Sequence, residues 1–126
     1  MFIGEAPGVA DGARPFERAM GNGRTSMFLR KSLDYIKILK ESWFTNILKC
    51  SFHNNEKKSD KPFENCWKNL LNEIEIIDPK QIFVMGKNAQ QFLKSKIEFT
   101  EIYHPSYCLY KRINYKQYAN MIMKNI

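Results

Sequence analysis

Four short apolar or β-branched runs, each cut off by a glycine or a polar turn and each followed by a stretch of helical spacing, constrain this chain more than any other feature. Met1 to Gly4 is a buried-strand pattern ending at glycine, Trp43 to Leu48 is aromatic and β-branched, Gln81 to Gly86 closes on a second glycine, and Ile97 to Tyr103 alternates apolar and polar residues. Between them, Ser26 can cap a helix that carries Leu29, Leu33 and Ile36. Phe63, Cys66, Trp67, Leu70, Leu71, Ile74 and Ile77 fall on one helical face that Asp78-Pro79 ends. Asn88 to Leu93 reads as a short helix, and a last one starts near Asn114. Strand and helix alternating four times predict a three-layer α/β/α fold around a four-stranded parallel sheet. At 126 residues, without repeats or linkers, the whole of 1–126 is expected to form a single domain.

Such a sheet places its ligand crevice at the carboxyl ends of the strands. The unusual segments all fall there: Gly4-Glu5-Ala6-Pro7-Gly8, Asn46 to Cys50, Gly86-Lys87-Asn88 and His104-Pro105-Ser106. The long loop from 5 to 25 holds four glycines and two prolines, and loops of that length in compact domains usually carry function. Four strand ends are therefore expected to converge on one site.

Charge narrows the partner. Twenty Lys and Arg against thirteen Asp and Glu give a net charge of +7, which favours a polyanion, nucleic acid first. Arg14, Arg18, Arg24, Arg30 and Lys31 face only Glu17 within 14–31, and no carboxylate side chain follows Glu101 while Lys111, Arg112, Lys116 and Lys124 do. No apolar run approaches membrane-spanning length, and the first residues lack the pattern of a secretory signal. Three sparse cysteines argue against a disulfide scaffold and point to a reducing cytoplasm. The expectation is a monomer acting on DNA away from membranes.

The ordered set Gly4-Glu5-Ala6-Pro7-Gly8, Arg14-Pro15-Phe16, Thr45-Asn46 with Lys49-Cys50, and Tyr103-His104-Pro105-Ser106 resembles the uracil-DNA glycosylase superfamily, nearest its thermostable-type, iron–sulfur-containing branch, family 4. The resemblance runs from the first strand to the last helix. It implies hydrolysis of the N-glycosidic bond of uracil in DNA, leaving an abasic site for base excision repair. Breaking that bond builds positive charge on the sugar and negative charge on the base. A carboxylate beside the sugar suits the first, and the resemblance implies Glu5 for it, by analogy with glycoside hydrolysis. His104 is implied as donor to the base oxygen that gains charge. Asn46 has the paired donor and acceptor needed to read the uracil amide edge, Phe16 matches the residue that stacks on the flipped base, and Ala6, Pro7 and Gly8 complete the first motif. Ser106 and the amides of Gly86 and Lys87 are expected phosphate contacts, and Tyr107 or Leu109 an expected wedge into the space the base leaves.

Cys50 and Cys66 stand sixteen positions apart, matching the last two iron–sulfur ligands of that branch. Its other two lie in a Cys-x-x-Cys ahead of the first strand, a pair these residues do not contain. Two thiolates do not hold a [4Fe–4S] cluster, so none intact is expected unless an upstream segment supplies the rest. Glu17-Arg18-Ala19-Met20-Gly21 after Phe16 also departs from the family pattern. These departures motivate a rival reading, a non-catalytic nucleic-acid-binding relative with the same fold. A generic nucleotide-binding module ranks third, because Gly21-Asn22-Gly23-Arg24 matches neither common phosphate loop.

Overall fold

A computed structural model describes residues 1–6, 23–49 and 63–126. Its strands are β1 (Phe2–Gly4), β2 (Phe44–Asn46), β3 (Phe83–Met85) and β4 (Thr100–Ile102). All pair in parallel, in the order β2-β1-β3-β4, with Phe2 opposite both Phe44 and Phe83, and Phe83 opposite Thr100. Each strand has only three residues, shorter than its apolar run. Single hydrogen bonds extend the pairing past the ends: Ile47 N–H donates to the Gly4 carbonyl and Leu48 N–H to the Glu5 carbonyl, both at 3.0 Å.

The helices are α1 (Arg24–Tyr35), α2 (Phe63–Ile77), α3 (Lys87–Leu93), α4 (Pro105–Tyr110) and α5 (Tyr115–Met123), with a 3-10 turn at Leu39–Glu41. Alternation along the strands sends side chains to opposite faces and builds two cores. Phe2, Phe83, Met85 and Ile102 pack with Phe28, Leu29 and Leu33 of α1, Cys108 of α4 and Tyr118 and Ile122 of α5. The Phe2 ring stacks on Phe83 at 4.9 Å and on Phe44 at 5.6 Å between centroids. On the other face Met1, Ile3 and Val84 pack with Leu70 of α2 and Ala89 and Leu93 of α3, flanked by Trp67, Ile74 and Phe92. The three layers are those expected from the strand–helix alternation.

Two local expectations change. Helix α1 begins at Arg24, capped by Gly23 without a side-chain bond, so Ser26 lies inside the first turn rather than at its cap. Glycine tolerates the cap position well. Helix α4 follows directly after His104, where the sequence predicts only a strand break. Pro105 does break the strand, but its φ also suits the first helical position, and the His104 side chain caps it.

Candidate active site

Three contacts knit the four strand ends together. Asn46, at the end of β2, lies across the end of β1: a Cβ on Gly4 would come 2.5 Å from its Oδ1, so glycine permits the approach. Glu5, one residue past β1, accepts from Asn88 Nδ2 at 3.3 Å on Oε1 and 3.2 Å on Oε2, which joins it to the first turn of α3 beyond β3. His104, past β4, rests on Gly86 past β3, where a Cβ would stand 3.4 Å from the His104 Cβ. Gly86 has φ +91°, a conformation that glycine adopts without strain. Glu5, Asn46 and His104 are thus gathered at the carboxyl edge of the sheet, as the motif order predicts.

Supporting bonds hold each strand end in place. Gln90 Nε2 donates to the carbonyls of Val84 and Ile102, both at 2.9 Å, and clamps β3 to β4. Lys49 Nζ donates to Thr45 Oγ1 and to the Asn46 carbonyl, each at 2.8 Å, and forms an ion pair with Glu73 of α2. That pair ties the Asn46 end of β2 to the helix behind it.

The His104 ring is set for one protonation state. Its Nδ1 accepts from the Ser106 backbone N–H at 3.2 Å and lies 2.6 Å from Ser106 Oγ. An accepting Nδ1 carries no proton, so the neutral ring bears it on Nε2, as a donor. Burial pushes the pKa of the ring down, which favours that neutral form.

Pro7, Gly8, Phe16 and Cys50 lie outside the described residues; Ala6 is half-buried beside Glu5. The Gly86 amide is already engaged, donating to the Ile102 carbonyl at 3.2 Å, so it does not serve as a phosphate donor; Gly86 contributes the room it leaves for His104. Lys87 and Ser106 are exposed. Leu109 packs against the core, whereas Tyr107 is 43% exposed and so is the more accessible of the two. Asn88 carried no assigned role in the sequence. Its only signal was its place in the segment that follows β3, since its partner lies 83 residues away.

The family model described as the uracil DNA glycosylase superfamily matches residues 1–124. The chain belongs to that superfamily. It is 35% identical over 107 residues to the Type-4 uracil-DNA glycosylase of Archaeoglobus fulgidus, covering 81% of this chain and 51% of the relative. The Type-4 uracil-DNA glycosylase of Thermotoga maritima is 30% identical over 135 residues, with 90% and 68% covered, and that of Sulfurisphaera tokodaii 32% over 99 residues, with 77% and 44% covered. The chain spans about half the length of the curated relatives it matches.

The thiols of this superfamily member do not fit a four-thiolate cluster. Cys66 is half-buried in α2, while Cys108 is fully buried on the other face of the sheet, where burial pushes its thiol up to about 11. With the sheet between them, Cys66 and Cys108 cannot share a centre, and Cys50 is the one cysteine left. Among the described residues no group of three or more His, Cys, Asp or Glu is placed to hold a metal ion, and no helix is long and apolar enough to cross a membrane.

The Asn88 contact makes a prediction of its own. Asn88→Ala removes both hydrogen bonds to Glu5 and is expected to lower kcat about tenfold with KM unchanged, since a hydrogen bond to a charged group is worth roughly 1.5–3 kcal/mol. Single-turnover rates beside oligonucleotide affinities check it. A raised KM at unchanged kcat would instead make Asn88 a binding residue.

Proposed function

We propose that this chain hydrolyses the N-glycosidic bond between uracil and deoxyribose in DNA and leaves an abasic site. The observation that carries the reading is the gathering of Glu5, Asn46 and His104 at one edge of the sheet through the Gly4, Asn88 and Gly86 contacts. The superfamily membership and the names of the relatives support the choice of uracil as the base.

In this reading the target base leaves the stack, at a cost of about a few kcal/mol, and its amide edge meets Asn46 while Phe16 stacks on it. The bond from C1′ to the base nitrogen breaks, its electron pair stays with the base, and the sugar becomes cationic. Glu5 stabilises that cation and orients the water that adds to C1′. The proton released by water ends on the departing uracil anion or on Glu5. His104 donates from Nε2 to the base oxygen where negative charge grows, a stabilisation set up before the bond breaks. Lys87, Ser106 and the basic segments 14–31 and 102–126 hold the phosphate backbone, and affinity falls as salt rises. The chain acts as a cytoplasmic monomer, and a [4Fe–4S] cluster enters only where a segment outside these residues supplies two further cysteines.

The test is uracil release from a uracil-containing oligonucleotide, single- and double-stranded, at low salt, followed by cleavage at the abasic site. Release above background is the expected result. Salt-sensitive DNA binding without release would overturn the reading in favour of a non-catalytic relative.

A further inference from the structure

Beside His104 the surface opens into a cavity of about 800 Å³. Gly86, Lys87 and His104 border it at one end, and Met121 and Asn125 of the C-terminal segment at the other, so it runs along the outer side of β4. Of the three strand-end residues Glu5, Asn46 and His104, His104 borders it and the other two do not.

The wall of this groove is aromatic and open to solvent. Tyr103 is 51% exposed and Tyr107 43%, with ring centroids 5.1 Å apart and planes inclined by 40°. Lys111 Nζ lies 5.9 Å from the Tyr107 ring and 5.4 Å from that of Tyr110, which is 79% exposed. Two adjacent rings held half in water contribute little to the core, but they offer flat faces to a ligand. Their base is rigid: the buried Tyr118 hydroxyl donates to the Tyr103 carbonyl at 2.6 Å. Lys87 on the border and Lys111 against the Tyr107 ring supply positive charge, and Glu101 on the wall is the one carboxylate among the bordering residues. Aromatic faces beside cations, next to His104, match a strand with unpaired bases, because a base within a duplex has both faces covered by its neighbours.

We propose that the groove receives unpaired nucleotides flanking the target in the same strand, one base stacking on Tyr103 and Tyr107 and a phosphate lying near Lys111, and that it gives the chain a preference for single-stranded DNA. The word target rests on the glycosylase reading; the groove itself is tested without it.

The probe is a fluorescein-labelled, uracil-free oligothymidylate, titrated by anisotropy against a labelled duplex of equal length. Tyr103→Ala is expected to weaken binding of the single strand about 5- to 100-fold, the range of one lost base–aromatic stack, with duplex affinity within about twofold. Tyr103→Phe keeps the ring and is expected to bind as the parent does. Lys111→Ala is expected to reduce the salt slope of single-strand binding by about one phosphate contact. Melting curves confirm folding, and since the Tyr103 carbonyl survives substitution the Tyr118 bond is retained. Equal affinity of the parent for single strand and duplex would overturn the proposal, as would parental oligothymidylate binding by both Tyr103→Ala and Lys111→Ala. Uracil release by the parent decides the glycosylase reading separately: absent release with ring-dependent binding sinks that reading and leaves the groove standing.

Discussion

Glu5→Gln is expected to lower the rate of uracil release about 10²- to 10⁴-fold, the usual contribution of a positioned acid or base, while leaving DNA affinity near the parent's. Glutamine keeps the shape of the side chain and can still meet Asn88, which now donates to a single amide oxygen instead of two carboxylate oxygens. The charge that opposes the sugar cation is gone, and so is the strong acceptor for water. The Leu48 N–H bond to the residue 5 carbonyl is untouched, so the strand end stays in place. Single-turnover release on a uracil oligonucleotide, beside binding of the same DNA, separates the two effects. A rate within threefold of the parent's, on the order of 0.6 kcal/mol in barrier, would remove Glu5 from the chemistry.

His104→Ala is expected to cost about 10²- to 10³-fold in kcat, as loss of one preorganised donor does elsewhere. It also removes the cap of α4, worth about 0.5–2 kcal/mol, so the melting temperature falls with the rate. His104→Asn separates these. Asparagine is a good cap residue but places no donor where Nε2 stands, so stability is expected to return and activity is not. The pH dependence follows from the lowered pKa of His104. An unfolded histidine takes up its proton near pH 6.5, earlier on acidification than the folded one. Stability from this residue is therefore complete above about pH 6.5 and is lost as pH falls toward the folded value. Protonation at Nδ1 also ends its acceptance of the Ser106 N–H. Melting temperatures across that window should fall more steeply in the parent than in His104→Asn; parallel curves would show that another group titrates there.

Much of this was legible in local sequence. Apolar runs ending in glycine or a polar turn place the strands and their carboxyl ends. The α2 face from Phe63 to Ile77 reads directly from its spacing. The motifs around Glu5, Asn46 and His104 are contiguous in sequence, so the residues that carry them stand out without tertiary information. Helix α4 did not stand out: it has six residues, of which only Pro105 and Cys108 are buried, too few to show a periodic face. Gly86 misled for a similar reason. A glycine at a strand end looks like an open amide, but the Ile102 carbonyl of the neighbouring strand occupies that donor.

By itself the sequence determined the fold class, the basic character and the identity of the three residues at the strand ends, because periodicity, charge and short motifs are properties of neighbouring positions. Only the tertiary structure decided which strand ends touch. The order β2-β1-β3-β4 puts β1 between β2 and β3, and from this follow Asn46 over Gly4, Asn88 on Glu5 and His104 against Gly86. The groove along β4 is decided the same way, since its two ends come from segments packed together by the core on one face of the sheet. Such contacts depend on the free energy of the whole packed sheet, and local spacing carries no record of it.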